Sequence, residues 1–285
     1  MTSPTVARGK AHLLLLNAFI QRLVGRPQRA AELCHAALAF TNYSETQAKA
    51  HAMLSRLEFT GPDYFRVLTR IHEHVQPSTY LEIGVDEGRS FEVVSPETWT
   101  LGIDPDPHLR KSPGPRQRVF AQTSDDFFET SDVMALLNGK SLDLAFIDGM
   151  HQFEFALRDF VNVERHCSAD AIILIHDVYP IDDISASRER ISNFWSGDIW
   201  RLILLLKKYR PELTINTIGA RPTGLAIVQN LDPHSRTLSE RQQEIIDEFL
   251  ALDISVLDGR KREMLNYFPN DWQSIAQLID NRQHT

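Results

Sequence analysis

The chain has 285 residues, 42% of them hydrophobic, only two cysteines and a formal net charge of −8. That size bounds one large domain, or one domain with a smaller appendage, and the apolar fraction supplies a sizeable core. The negative charge argues against a general nucleic-acid binder, and Cys34 and Cys167 are too few for a disulfide framework or a thiolate zinc site.

So few cysteines suit a reducing compartment. The longest apolar run near the N-terminus, AHLLLLNAFI, is too short to span a bilayer, and no convincing cleavage site follows it. A soluble, cytoplasmic protein without nucleic-acid or membrane partners is the expectation.

Residues 10 to about 58 read as three helices. Leu13, Leu16, Phe19, Ile20 and Leu23 recur at spacings of three and four, Gly25-Arg26-Pro27 breaks the first helix, and Ala30, Leu33, Cys34 and Ala37 mark the second. The pair is similar to one tetratricopeptide-like unit, but no second copy follows, so a repeat array is not expected. Residues 1–61 are expected to be a helical extension serving as cap, substrate cover or oligomer contact, with a homodimer the expected assembly.

After a helix over about 63–75 the period changes. Five short apolar runs, YLEIGV (80–85), TLGID (100–104), RVFAQ (118–122), LDLAFID (142–148) and AIILIHD (171–177), alternate with amphipathic stretches. Such runs read as strands buried on both faces of a parallel sheet. A helix over about 198–209 and two further strands, 213–219 and 224–230, separated by a short turn, complete the pattern. The fold class expected is α/β: a doubly wound, Rossmann-like, mostly parallel seven-stranded sheet with an antiparallel last strand. The sheet domain is placed at 62–232 and a C-terminal helical segment, interrupted at Pro269, at 233–285. The basic stretch RKSPGPRQR (110–118) reads as a solvated loop.

The first motif, YLEIGVDEGRS, is a strand entering a glycine turn and then a helix, a place where backbone can approach a ligand and free N–H groups are offered. Its glycines are Gly84 and Gly88, and Val85 stands where a dinucleotide fingerprint needs its second glycine. Glu82 ahead of the turn disfavours phosphate and suits a cationic ligand. The second strand ends at Asp104, 22 residues after Glu82, close to the offset at which an acid meets ribose hydroxyls.

EIGVDEGRS resembles the first motif of class I S-adenosylmethionine-dependent methyltransferases. The resemblance covers about residues 62–232. It implies S-adenosylmethionine as cofactor, with the turn (Glu82, Gly84, Gly88, Ser90) at its amino-acid part and Asp104 on its ribose. Thr123, Ser124 and Asp125, after the third strand, are implied at the adenine.

The second motif pair is FIDGMH and IILIHD. In a doubly wound sheet both strand ends open onto the ligand edge, so Asp148, His151, His176 and Asp177 converge there. Methyl transfer to a hydroxyl needs an aligned nucleophile and a base, and histidine is the natural base near neutral pH. These segments are similar to metal-dependent sugar and macrolide O-methyltransferases and to relatives of cephalosporin hydroxylase. That resemblance implies a metal on Asp148, His176 and Asp177, with Asp148 also serving the cofactor and catalysis and His151 as general base. His176 stands where the metal-binding members carry an acid: either the site takes manganese or a softer ion rather than magnesium, or His176 does not ligate, or no metal binds. Trp195, Trp200 and Arg221 are further candidates for acceptor contact.

The leading expectation is a methyltransferase acting on a hydroxyl of a small molecule, a sugar or natural product, with nitrogen an alternative acceptor. Two other readings compete: a metal-dependent hydroxylase-like enzyme on the same fold, and a non-catalytic binding or assembly protein.

Overall fold

The computed structural model describes residues 4–40 and 44–281. Three helices come first, α1 (Pro4–Leu23), α2 (Pro27–Ala39) and α3 (Ser44–Glu58), then α4 (Tyr64–Val75) leads into β1 (Thr79–Ile83). Asp63 caps α4 by accepting from the Arg66 N–H at 3.0 Å, and Gln76, left-handed at φ 47°, ends it before Pro77. There follow β2 (Trp99–Asp104), β3 (Gln117–Ala121), α5 (Ser124–Thr130), α6 (Val133–Leu136), β4 (Leu142–Ile147), α7 (Phe153–Glu164), β5 (Cys167–His176) and α8 (Trp200–Tyr209). The chain closes through β6 (Thr214–Ile218), β7 (Leu225–Gln229), α9 (Thr237–Glu240), α10 (Gln242–Leu250), α11 (Lys261–Met264), β8 (Tyr267–Phe268) and α12 (Trp272–Asp280).

The strands form one sheet in the order β3-β2-β1-β4-β5-β7-β6-β8, parallel except at β7, which runs against both β5 and β6. This is the expected doubly wound architecture, with eight strands rather than seven. The additional strand, β8, pairs with β6 through Tyr267 and Phe268 alone. A two-residue pairing leaves no alternation in the sequence, and its partner lies some fifty positions away, so periodicity could not find it.

A second correction concerns the turn after β1. The expected helix is only a 3-10 turn, Phe91–Val93. Val93, Val94 and then Pro96 follow too closely for a helix to propagate, because proline disfavours helical geometry in the residue before it.

Successive side chains on the strands point to opposite faces, which yields two cores. Leu81 and Ile83 pack with Phe153, Leu157, Phe160, Leu202 and Phe249 on one face. Tyr80, Leu144, Phe146 and Leu174 pack with Leu68 and Ile71 of α4 and Ile275 of α12 on the other. Helices α1 to α3 have a smaller core of their own around Ala18, Leu33, Cys34 and Leu54, which Ile181 joins from the loop after β5. Cys34 and Cys167 are both free and buried. Among the described residues no helix is long and apolar enough to cross a membrane.

The N-terminal helices are bonded to the sheet domain at three places. His51 Nε2 of α3 lies 2.8 Å from Asp182, the Ser55 hydroxyl donates to the Pro222 carbonyl at 2.7 Å, and the Tyr179 hydroxyl donates to Glu58 at 2.9 Å. On the opposite side Arg210, at the end of α8, is fully buried and holds Glu164 of α7 through two bonds of 2.7 and 2.9 Å. Breaking a buried pair strands the partner charge, at a cost of about 3–5 kcal/mol. Arg210→Ala should lower unfolding free energy by that order in urea titration; a loss near zero would show that Glu164 finds other partners.

Candidate active site

A cavity of about 690 Å³ opens at the carboxyl ends of β1, β2, β4 and β5. Its wall includes Gly84, Asp86, Asp104, Thr123, Ser124 and Asp125 on one side. Asp148, His151, His176 and Asp177 form the other. The two motif groups read from the sequence therefore share one space.

Gly84 is what lets them meet. It sits at φ 88°, and a Cβ there would lie 2.0 Å from the carbonyl oxygen of Asp148. The β1 and β4 loops approach closely enough that only glycine fits between them. Ile83 and Asp148 are bonded across the same gap, Asp148 N–H to Ile83 carbonyl at 2.9 Å.

Glu82, Gly88 and Ser90 lie outside the cavity wall. The Glu82 carboxyl is fully buried beneath the turn, where it accepts from the Tyr80 hydroxyl at 2.8 Å and the Ser90 hydroxyl at 2.5 Å. Burial pushes its pKa up to about 8, against the opposing effect of those two donors. Gly88, at φ 76°, closes the same turn. Asp104 turns its carboxylate toward that loop, accepting from the N–H groups of Asp86 and Asp106, each at 2.8 Å.

Beyond β3, Thr123 caps α5 and Asp125 is held by Arg158 in a fork with bonds of 3.0, 3.0 and 2.8 Å. Ser124 donates to Asp159 at 2.5 Å. Asp159 was invisible to motif reading, because it sits mid-helix in an ordinary amphipathic stretch. It is nevertheless buried on the cavity wall, and burial raises its pKa to about 7 despite the Ser124 bond.

The four residues from β4 and β5 form one cluster. His176 Nδ1 lies 3.0 Å from Asp148 and 3.2 Å from Asp177, while its Nε2 has no hydrogen-bond partner and its ring stacks on Tyr64 at 3.9 Å. Burial disfavours the charged imidazolium, but Asp177 and Asp148 outweigh it and hold the His176 pKa at about 10. For Asp177, burial works upward and is overcome by His176 and His151, which keep its carboxyl below the usual range. Asp177 also accepts from the Thr223 hydroxyl and takes a left-handed backbone, φ 61°. Strain of that kind recurs at functional sites.

His151 Nδ1 lies 3.1 Å from Asp177 Oδ2 and 3.2 Å from the Trp195 carbonyl, and Nε2 lies 3.7 Å from Asp148. Both neighbours of Nδ1 are acceptors, so Nδ1 is the nitrogen that faces them as donor and Nε2 is the one left without a hydrogen bond. The His151 ring stacks on Trp195 at 5.1 Å. Gly197, at φ 61°, makes room for the packing: a Cβ there would lie 1.6 Å from the His151 carbonyl.

Asp148, His151 and Asp177 each offer a donor atom within 4.8 Å of the others, a set of two carboxylates and one imidazole that a divalent cation could occupy. His151 joins that set, whereas the motif reading had placed His176 in it. Trp195 lines the cavity, Trp200 is buried in the core, and Arg221 is turned to the Gly61 carbonyl at 3.1 Å. The loop between β5 and α8 adds Arg190, Asn193 and Phe194 to the wall, none of which stood in a recognisable motif.

Residues 81–178 match the family model of a methyltransferase domain. That segment, from β1 to just past β5, carries both motif groups, and the match is in keeping with the class I, S-adenosylmethionine-dependent resemblance of its glycine turn. Solved structures similar to the chain include a cofactor-bound protein from MTB, at 17% identity over 66% of this chain and 89% of that one, with a TM-score of 0.47. An O-methyltransferase from Bacillus cereus in complex with SAH is 14% identical over 60% of this chain and 82% of that one, TM-score 0.44. The O-methyltransferase TomG from Streptomyces achromogenes, involved in tomaymycin synthesis and solved with SAM, is 14% identical over 64% and 88%, TM-score 0.47. No curated protein matches the chain.

The state of Glu82 has a measurable consequence. Its folded pKa, about 8, stands above the ordinary 4.5, so between those values the folded chain holds a proton the unfolded chain lacks. Stability must then fall as pH rises through that window. Glu82→Gln should reduce the decline of Tm between about pH 5 and 8, leaving the shares due to Asp159 and, above about pH 6.5, to His176. An unchanged slope would show Glu82 ionised in the fold.

Proposed function

We propose that the chain transfers the methyl group of S-adenosylmethionine to a hydroxyl of a small-molecule acceptor, a sugar or hydroxylated natural product, with His151 as general base. The observation that carries this reading is the orientation of His151: its Nδ1 faces the Trp195 carbonyl and Asp177, which leaves Nε2 as the nitrogen to take a proton, and the residue lines the same cavity as Gly84 and Asp104. In the transfer the acceptor oxygen bonds to the methyl carbon as the carbon–sulfur bond breaks. The electron pair goes to sulfur and the hydroxyl proton must leave. Nε2 receives that proton, and Asp177, beside Nδ1, stabilises the imidazolium that results.

The remaining residues position the reactants. Asp104 keeps lone pairs beyond its two backbone bonds and suits ribose hydroxyls, and Ser124, Asp125 and Asp159 form the polar end expected for adenine. The glycine turn admits the amino-acid part. Glu82 acts from beneath, by fixing the turn through Ser90. Trp195 and Phe194 supply flat apolar faces on the acceptor side.

A divalent cation fits a second form of the same reading. Asp148, His151 and Asp177 would hold it, and bound there it would lower the pKa of an acceptor hydroxyl. A histidine nitrogen that ligates an ion cannot also take a proton, so the two forms make opposite demands on His151.

Calorimetric titration with S-adenosylmethionine and its demethylated product, with and without manganese or magnesium, tests the reading; absence of binding under every condition would sink it. His151→Ala should retain cofactor binding and lose about 10²–10⁴-fold in turnover on a panel of hydroxylated sugars and phenols. Turnover that survives EDTA in the parent protein assigns His151 as base. Turnover abolished by EDTA and restored by manganese assigns it as ligand.

A further inference from the structure

The first helix presents to solvent what most helices hide. Leu13, Leu16, Ile20 and Leu23 are each between 47% and 68% exposed, and Phe19 and Val24 beside them are comparably open. The inner side of α1 is already satisfied by small residues, with Ala11 and Ala18 fully buried against the helices that follow. Positions 13, 16, 20 and 23 repeat at three and four. That is the 3.5-residue spacing of a coiled-coil seam, narrower than the stripe a helix turns toward a globular core.

We propose that this seam is the contact between two copies of the chain, with the two α1 helices antiparallel. Three features of the helix select this occupant. The seam is self-complementary: in an antiparallel pair centred near Ala18, Leu13 meets the partner's Leu23 and Leu16 meets the partner's Ile20, so a two-fold axis closes every layer with a large apolar side chain. Charge selects the direction. The helix has no acidic residue, and Arg8, Lys10 and His12 gather at its N-terminal end. A parallel pair would set these cations side by side; the antiparallel pair brings each cluster to the C-terminal end of the partner helix, which also carries Arg22 but whose dipole favours cations.

Area is the third feature. Six side chains exposing roughly 100 Å² each give about 600 Å² per copy, or about 1,200 Å² together, the lower bound of stable interfaces. A patch of that size is larger than soluble monomers usually leave uncovered.

Sedimentation equilibrium of the full chain should give a dimer at micromolar concentration. The double variant Leu16→Glu/Ile20→Glu should give a monomer with an unchanged far-UV circular dichroism spectrum. Direction is read by cross-linking: mixing Leu13→Cys protein with Leu23→Cys protein should form the mixed disulfide, while Leu13→Cys alone should not. A monomeric parent, a dimer that survives both glutamates, or a disulfide from Leu13→Cys alone overturns the proposal. Co-sedimentation of a monomeric parent with anionic phospholipid vesicles would equally overturn it, by assigning the face to a lipid surface. None of these readouts depends on catalysis, so they stand apart from the methyl-transfer reading.

Discussion

The contact on which the site depends is a backbone one: Gly84 against the carbonyl of Asp148. It brings the turn after β1 and the strand end of β4 to a separation that no side chain at position 84 would permit. Everything on the cavity wall is referenced to it. The turn carries Asp86, which bonds Asp104; the strand end carries Asp148, which bonds His176. The turn after β1 and the strand end of β4 are thus held in register by main-chain packing.

Around that contact the electrostatics are arranged in layers. Glu82 and Asp159 are buried carboxyls whose pKa values burial raises, and both accept from hydroxyls, Glu82 from two and Asp159 from one. Asp177 is kept charged by His176 and His151 beside it. The same residue type therefore serves as structural hydrogen-bond partner in one place and as fixed anion in another, and burial against neighbouring cations decides which.

Much of this was legible in the sequence. The five parallel strands are near-continuous apolar runs because both faces are covered, and the ends of those runs located Asp104, Asp148 and Asp177. The same logic failed where information was non-local or short. Strand β8 is two residues long, and the helix expected after Gly88 is cut off by Val93, Val94 and Pro96. Trp200 and Trp195 look alike in the sequence, yet one opens α8 and lies in the core while the other sits in the loop before it and lines the cavity. Asp159 carries no motif; only the geometry places it beside Ser124.

The bond between His51 and Asp182 ties the N-terminal helices to the loop that follows β5. Further along the same loop lie Asn193, Phe194 and Trp195, and Phe194 stacks on the His51 ring itself at 5.3 Å. This wall of the cavity therefore has two anchors, the extension at His51 and the β4 end at His151, on which Trp195 stacks. Replacing the extension would remove one anchor and leave the other, so the shape of this wall can change while the strand ends stay fixed.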